Sequence, residues 1–455
     1  MNSSNNPAIT ERDTKFKCIV SPADGRDSDL TGRLEEKLKT ITQESSIYSF
    51  VDDTENELNW WIVDLTAAQL ETIKSSPDVK YAARRANRVR SKANTFINPD
   101  PYTNSTFLPR SLRRDNKQKA YKRQTMAPTE LVTISIPPGQ DFCRYSDYVY
   151  PTEAGEKIRI YVIEDGINEA QTKEFPKNRV AQTLKTLRAT HSPDANGPDD
   201  HSTCVASKAM GTNFGTAKSG ILVPVQTGDD SWASVSEGLL EVRKDIQQKL
   251  RKRDTEAEKA VLVFSLMVDE IHDPNKEQEP SIDKAHTYLG QIMNLGVPTV
   301  TVAGNAANDE RPKIDAVPSV WGSDDFPLIV AGNAEYDGSR REASQEGDQL
   351  TVYACGTDVS CQGVEDEIIG SGTSYAAPMT AGVLATLMSQ KSGKFYDATK
   401  HLSGLDFVQA ARKFLKEEAS WERKKGINML WNLVPLSENE PEEEDDLDSW
   451  LGDDD

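Results

Sequence analysis

The chain has 455 residues, 36% of them hydrophobic, and a formal charge of −20. That length admits two or three domains and a large core, while the negative balance excludes nucleic acid as the expected partner. No stretch reaches the ~18 apolar residues of a membrane span, so no membrane partner is expected.

The polar start, Met1 to Thr14, lacks the apolar region of a signal peptide. The compartment is therefore left open between an intracellular protein and a chain without its original start. Residues 15–93 then read as a small α+β unit. Phe16–Val20 is a short strand and Arg33–Ile41 a helix; Trp60–Leu65 is a strand by composition. Thr66 fits an N-cap, Leu70 and Ile73 share a helix face, and Pro77-Asp78-Val79 turns the chain into another strand. The order predicts a ferredoxin-like domain over 1–94. Residues 95–127 show no periodicity and hold seven basic residues from Arg110 to Arg123, the pattern of a solvated linker. Within it Lys122-Arg123 is a dibasic candidate processing site in a segment expected to be exposed, and Asn104-Ser105-Thr106 is a glycosylation sequon.

From Glu156 the pattern alternates strands with helices. Ile158–Ile163 is a strand running into Glu164-Asp165-Gly166, and Ser219–Val225 is a second. Trp232, Val235, Leu239, Val242, Ile246 and Leu250 recur at helical steps. Val261–Leu266 is the next strand and 281–295 the next helix, followed by strands at Val297–Val302, Leu328–Gly332 and Leu350–Ala354. Near-continuous apolar strands between helices predict an α/β fold, a parallel sheet covered on both faces. Sites in such sheets collect at the carboxyl ends of strands, where Glu164 and Asn305 fall. Phe407, Ala411, Phe414 and Leu415 mark a late amphipathic helix, and Ile427–Val434 follows, completing a domain expected over 128–436. The run Glu438–Asp455 holds eleven acidic residues and no basic ones, so 437–455 is expected to be a solvated, disordered tail. The five cysteines (Cys18, Cys143, Cys204, Cys355, Cys361) include no Cys-x-x-Cys pair, which argues against structural zinc. Cys355 and Cys361 are the pair spaced to bridge in an oxidising compartment; free buried thiols are the alternative.

Gly370-Ser371-Gly372-Thr373-Ser374-Tyr375-Ala376-Ala377-Pro378 places a serine between a glycine-rich turn and an apolar helix. Ser374 would stand near the first helical turn, where free backbone N–H groups and the positive dipole end favour a developing oxyanion. An α/β-hydrolase elbow needs Gly two residues after the serine, where Ala376 stands.

The string Gly-Thr-Ser-x-Ala-x-Pro closely resembles the nucleophile motif of the subtilisin family of serine proteases. Asp200-His201-Ser202-Thr203-Cys204-Val205-Ala206 resembles that family's histidine motif, with Ser202 and Ser207 where glycines are usual. Asn305, after Ala-Gly, resembles its oxyanion-hole asparagine. Ser265-Leu266-Met267 resembles its substrate-cleft strand, with Met267 in place of Gly. The N-terminal unit resembles the inhibitor-type propeptide that caps the active site until removed. The motifs run in the family's order, acid, His, Asn, Ser. The resemblance implies a zymogen in which His201 takes the proton of Ser374 and Asn305 with the Ser374 N–H holds the oxyanion. It implies a peptide or protein substrate, the chain's own propeptide as intramolecular inhibitor, a monomer, no cofactor, and a secreted protein. Structural calcium is common in the family, but no ligand loop is visible and no metal ligand is assigned. The acid departs from the pattern: Glu164 aligns with the usual Asp and Asp165 with its neighbour. Adjacent strand side chains face opposite ways, so one of the two orients His201, and the motif does not say which. Cys204, three residues after His201, reads as a packed helix residue rather than a second nucleophile. Because Glu164, Ser202 and Met267 all depart from the usual motifs, a pseudoprotease that only binds peptides is the competing reading. A regulatory protein recruiting basic partners through its acidic tail is a third.

Overall fold

In the computed structural model the described residues are 14–42, 47–85, 88–89, 120–191, 196–229, 231–251, 259–268 and 271–439. The first unit runs β1 (Phe16–Pro22), α1 (Ser28–Ile41), β2 (Ile47–Asp52), β3 (Glu57–Leu65), α2 (Ala67–Lys74) and β4 (Val79–Arg84). Its antiparallel sheet has the order β2-β3-β1-β4, which is the ferredoxin-like arrangement expected. α1 starts earlier than its apolar run because Asp27 caps the N–H groups of Asp29 and Leu30. Thr66 and Gln69 form a reciprocal capping box on α2. Strand alternation splits the two adjacent tryptophans between two cores. Trp61 joins Cys18, Val63, Leu34 and Leu38 beneath the unit's own helices. Trp60 joins Phe50 and Ile62 on the other face, against the second unit.

The short β5 (Arg88–Val89) links to a second unit. There follow β6 (Tyr121–Gln124), α3 (Thr129–Ser135), β7 (Tyr148–Pro151), β8 (Arg159–Glu164), β9 (Leu184–Lys185), α4 (Leu187–His191), α5 (Asp200–Met210) and β10 (Ile221–Gln226). Next are α6 (Trp232–Arg251), β11 (Ala260–Phe264), β12 (Met267–Val268), α7 (Pro280–Asn294), β13 (Thr299–Val302), β14 (Ile329–Ala334) and β15 (Leu350–Cys355). The chain closes with β16 (Val359–Gln362), β17 (Glu367–Gly370), α8 (Thr373–Ser389), α9 (Lys394–Thr399), α10 (Gly404–Glu417), β18 (Ser420–Lys424), β19 (Ile427–Leu430) and α11 (Leu436–Asn439). Among the described residues nine strands form one sheet in the order β18-β19-β15-β14-β13-β11-β8-β10-β9. All neighbours are parallel except the β18–β19 hairpin, which extends one edge. The central strand β8 shows why both faces are covered. Ile160 and Val162 pack with α5 and α8, whereas Tyr161 and Ile163 pack with α6 and α7. Among the described residues no helix is long and apolar enough to cross a membrane.

The N-terminal sheet rests on α6 and α7, and polar contacts set its position. Asp52, fully buried, receives Arg243 Nη2 at 3.1 Å and the Tyr288 hydroxyl at 3.0 Å. Tyr48 donates to Glu237 at 3.1 Å, and Arg85 pairs with Asp229 at 2.8 Å. Burial pushes the Glu237 carboxyl up to about 8, although the Tyr48 bond pulls the other way.

Two expected boundaries move. Lys122 and Arg123 lie in β6, paired with Tyr150 and Val149 of β7, and Arg123 meets Asp147 at 3.2 Å. Residues 120–127 therefore belong to the second unit, and the dibasic pair is held in a ladder rather than offered as an open linker. At the other end, Leu436–Asn439 is helical and the buried Asn439 donates to Ser135 O at 2.6 Å. This packed turn includes the first residues assigned to the tail. The sequon at Asn104 and the acidic run beyond Asn439 lie outside the described residues.

Candidate active site

The carboxyl end of β8 delivers Glu164, the first turn of α5 delivers His201, and the loop after β13 delivers Asn305. Ser374 is the second residue of α8. Asp199 caps α5 by accepting the Ser202 N–H, which fixes the turn that carries His201. Oε2 of Glu164 lies 3.2 Å from Nδ1 of His201, and both side chains are buried. Asp165 is engaged elsewhere: Thr227 Oγ1 donates to it at 3.0 Å and Asn196 Nδ2 at 3.3 Å. Of the two candidate acids only Glu164 meets the imidazole, because successive strand side chains alternate in direction.

Pro378 falls inside α8. Proline has no N–H to give the carbonyl four residues back, so Ser374 O loses its helical donor. Ser265 Oγ supplies one instead, at 2.8 Å. Ser265, expected to bind substrate, thus anchors the backbone of Ser374, a contact that spacing along the chain could not reveal. The Asn305 amide is oriented by its oxygen, which accepts the Thr373 N–H at 3.0 Å. Its Nδ2 has no hydrogen-bond partner among the described residues. The same is true of Ser374 Oγ and His201 Nε2. Buried polar atoms are normally satisfied; three left open at one place mark groups poised for something else to bind. Catalytic contacts also commonly close only when substrate is present. The Ser374 N–H, in the first turn, has no intrahelical carbonyl and adds a fourth donor or acceptor to this set.

Two glycines are dictated by this crowding. Gly304, beside Asn305, has φ +104°, and a Cβ there would stand 2.0 Å from Gln345 Oε1. A Cβ on Gly370 would stand 2.7 Å from the Tyr375 ring. That ring lies 5.9 Å from the His201 ring, so α5 and α8 meet through it.

Met267 and Val268 form β12, which pairs antiparallel with Val89 and Arg88. Of the residues expected to meet substrate, Met267 thus pairs with extended backbone at the exit of the N-terminal unit. Leu266 is buried and turned into the core of α6 and α7. Met267 is 7% exposed and packs near Gly304.

Of the two alternatives left open for Cys355 and Cys361, a bridge between them is not formed. Cys361 pairs with Cys204 across 157 residues, with Cα atoms 5.2 Å apart. The hairpin of β16 and β17 carries Cys361 onto α5, while Cys355 stays a buried thiol whose pKa burial pushes up to about 12. Cys204 is accordingly neither a free packed thiol nor a nucleophile. Among the described residues no group of three or more His, Cys, Asp or Glu side chains converges on one point.

The model of the Subtilase family matches residues 155–426. Similar proteins include Subtilisin-like protease 2 of Trichophyton rubrum, 27% identical over 252 residues, which are 54% of this chain and 53% of that protein. Subtilisin-like protease 10 of Arthroderma otae is 29% identical over 255 residues, 54% of this chain and 56% of that protein. The chain spans about half the length of the curated relatives it matches. Among solved structures, an epidermin leader peptide processing serine protease from Staphylococcus aureus aligns with TM-score 0.58 at 15% identity, covering 90% of this chain and 94% of that one. A cold adapted subtilisin-like serine proteinase aligns with TM-score 0.50 at 19% identity, covering 68% and 100%. At these identities the structural likeness shows the fold.

Proposed function

This chain belongs to the subtilase family, and from that premise we propose that it is a serine endopeptidase made as a zymogen, with Ser374, His201 and Glu164 as its triad. The observation that carries the reading is the Glu164–His201 contact at 3.2 Å beside three buried polar atoms without partners. In the proposed reaction His201 Nε2 takes the Ser374 hydroxyl proton as Oγ attacks the peptide carbonyl. Asn305 Nδ2 and the Ser374 N–H receive the oxyanion. Glu164 holds the Nδ1 proton and stabilises the imidazolium. His201 then gives its proton to the leaving amine, and water repeats the sequence on the acyl-enzyme. The main chain of 265–267 guides the extended substrate.

The N-terminal unit acts as an intramolecular inhibitor in this reading. Its support is the β5–β12 ladder, which occupies the edge an extended substrate would use, together with the Asp52–Arg243 and Tyr48–Glu237 contacts. Cleavage before the second unit would free that edge, and it would fall between Val89 and Ala120 rather than at Lys122-Arg123.

The test is labelling by a fluorophosphonate serine probe on protein checked for N-terminal processing, with Ser374→Ala as control. Labelling that disappears in the variant is expected. Folded protein freed of its N-terminal unit that takes no label would overturn the peptidase reading and leave a peptide-binding pseudoprotease in its place.

A further inference from the structure

Glu164 has one more rotatable bond than aspartate, and its surroundings do little to hold it. Oε1 has no partner among the described residues, and a cavity of about 240 Å³, lined also by Thr183, Lys185 and Gln226, borders the side chain. Packing alone does not keep the carboxylate on His201. One further group reaches it. Ser202 Oγ, fully buried, lies 3.4 Å from Glu164 Oε2 and 2.7 Å from Asp199 Oδ2. A hydroxyl has one proton to give. Asp199 keeps the Ser202 N–H at 2.9 Å whichever way that proton turns, and it is only half-buried. Glu164 is wholly buried and otherwise has His201 alone; at 2.7 Å against 3.4 Å the proton lies chiefly with Asp199, and Glu164 Oε2 takes the weaker branch of a shared, three-centre bond.

We propose that Ser202 is a positioning residue for Glu164: its hydroxyl bridges the Asp199 and Glu164 carboxylates and holds the longer acid against His201 Nδ1. The two departures at 164 and 202 then form a compensating pair. A shorter acid reaches fewer wrong positions and needs no such tether, while a longer acid with no side chain at 202 would swing toward the cavity. This inference rests on the triad reading above, but its geometry can be measured without turnover.

The experiment is a double-mutant cycle of Ser202→Ala and Glu164→Asp. Alanine keeps the N–H that Asp199 caps and is a better helix former than serine, so α5 is retained; thermal unfolding checks it. Two readouts are taken. In the Ser374→Ala protein, the low-field proton resonance of His201 Nδ1–H reports the carboxylate contact. Ser202→Ala should weaken or abolish it when Glu164 is present and leave it unchanged in the Glu164→Asp background. In protein with Ser374 intact, Ser202→Ala should lower kcat about 10- to 100-fold with KM nearly constant, against less than about threefold in the Glu164→Asp background; Ser202→Thr should restore most of the loss. An equal effect of Ser202→Ala on the resonance in both backgrounds would overturn the proposal. Absence of fluorophosphonate labelling alongside a coupled resonance would instead overturn the peptidase reading and leave the Ser202–Glu164 tether standing.

Discussion

Oε2 of Glu164 faces Nδ1 of His201 at 3.2 Å, while the neighbouring carboxylate of Asp165 is held by Thr227 and Asn196. The two acids therefore differ in their partners, and the proposed triad assigns them different roles. Glu164→Gln keeps the shape but removes the charge and favours the wrong imidazole tautomer, and kcat should fall about 10⁴-fold. Asp165→Asn should change kcat less than about tenfold and cost roughly 1–3 kcal/mol of stability through its buried bonds. Steady-state kinetics and chemical unfolding of both variants decide the assignment; the reverse pattern would move the acid to Asp165.

Asn305 is oriented by the Thr373 N–H, which leaves Nδ2 free to donate. Asn305→Ala should reduce kcat about 10²–10³-fold with little change in KM, the loss known for such a donor in subtilisin itself. A comparable rise in KM with unchanged kcat would mean that Asn305 binds ground-state substrate instead.

Glu237 ties the N-terminal unit to α6 through Tyr48, and it is protonated when buried there because its carboxyl is pushed up to about 8. Unfolded, the group titrates near 4.5. The native state thus binds the extra proton between these values. Its contribution is fully present below about 4.5 and is lost as pH rises toward about 8. The limiting slope for one proton is about 1.4 kcal/mol per pH unit. Asp229, Glu241 and Arg188 also face the group, so the comparison must be internal. Stability of the uncleaved chain, measured from pH 5 to 8.5, should fall more steeply than that of Glu237→Gln. Parallel curves would show that Glu237 is not the titrating group.

The Cys204–Cys361 bridge closes a loop of 157 residues and joins the His201 helix to the hairpin that leads into Ser374. Constraining so long a loop in the unfolded chain is worth about 2–4 kcal/mol in typical cases. Cys204→Ala/Cys361→Ala should lose about that much in denaturant unfolding, and reductant should then have no further effect. Cys355→Ala should not reproduce the effect, since Cys355 is a free thiol.

Much of the architecture was legible because it is repetitive and local. The helical period of α6 marks one buried face, and the apolar runs of β8, β11 and β13 mark strands buried on both faces, so each writes its surroundings into the chain. The Thr66 cap was legible for the same reason, since its bonds span three residues. Elements governed by distant partners were not. β6 reads as a basic linker because its order comes from pairing with β7, and the disulfide partner of Cys204 depends on where a hairpin lands.

The sequence by itself determined which chemical groups are available: a serine at a helix start, a histidine, an asparagine at a strand end and two adjacent carboxylates. Their types and order follow from local backbone requirements, which a few consecutive residues express. Tertiary structure alone decided which carboxylate meets His201, what replaces the bond that Pro378 removes, and how Ser202 comes to stand between Asp199 and Glu164. Those are distances between side chains brought together from separate strands and helices by the packing of α5 and α8 against β8.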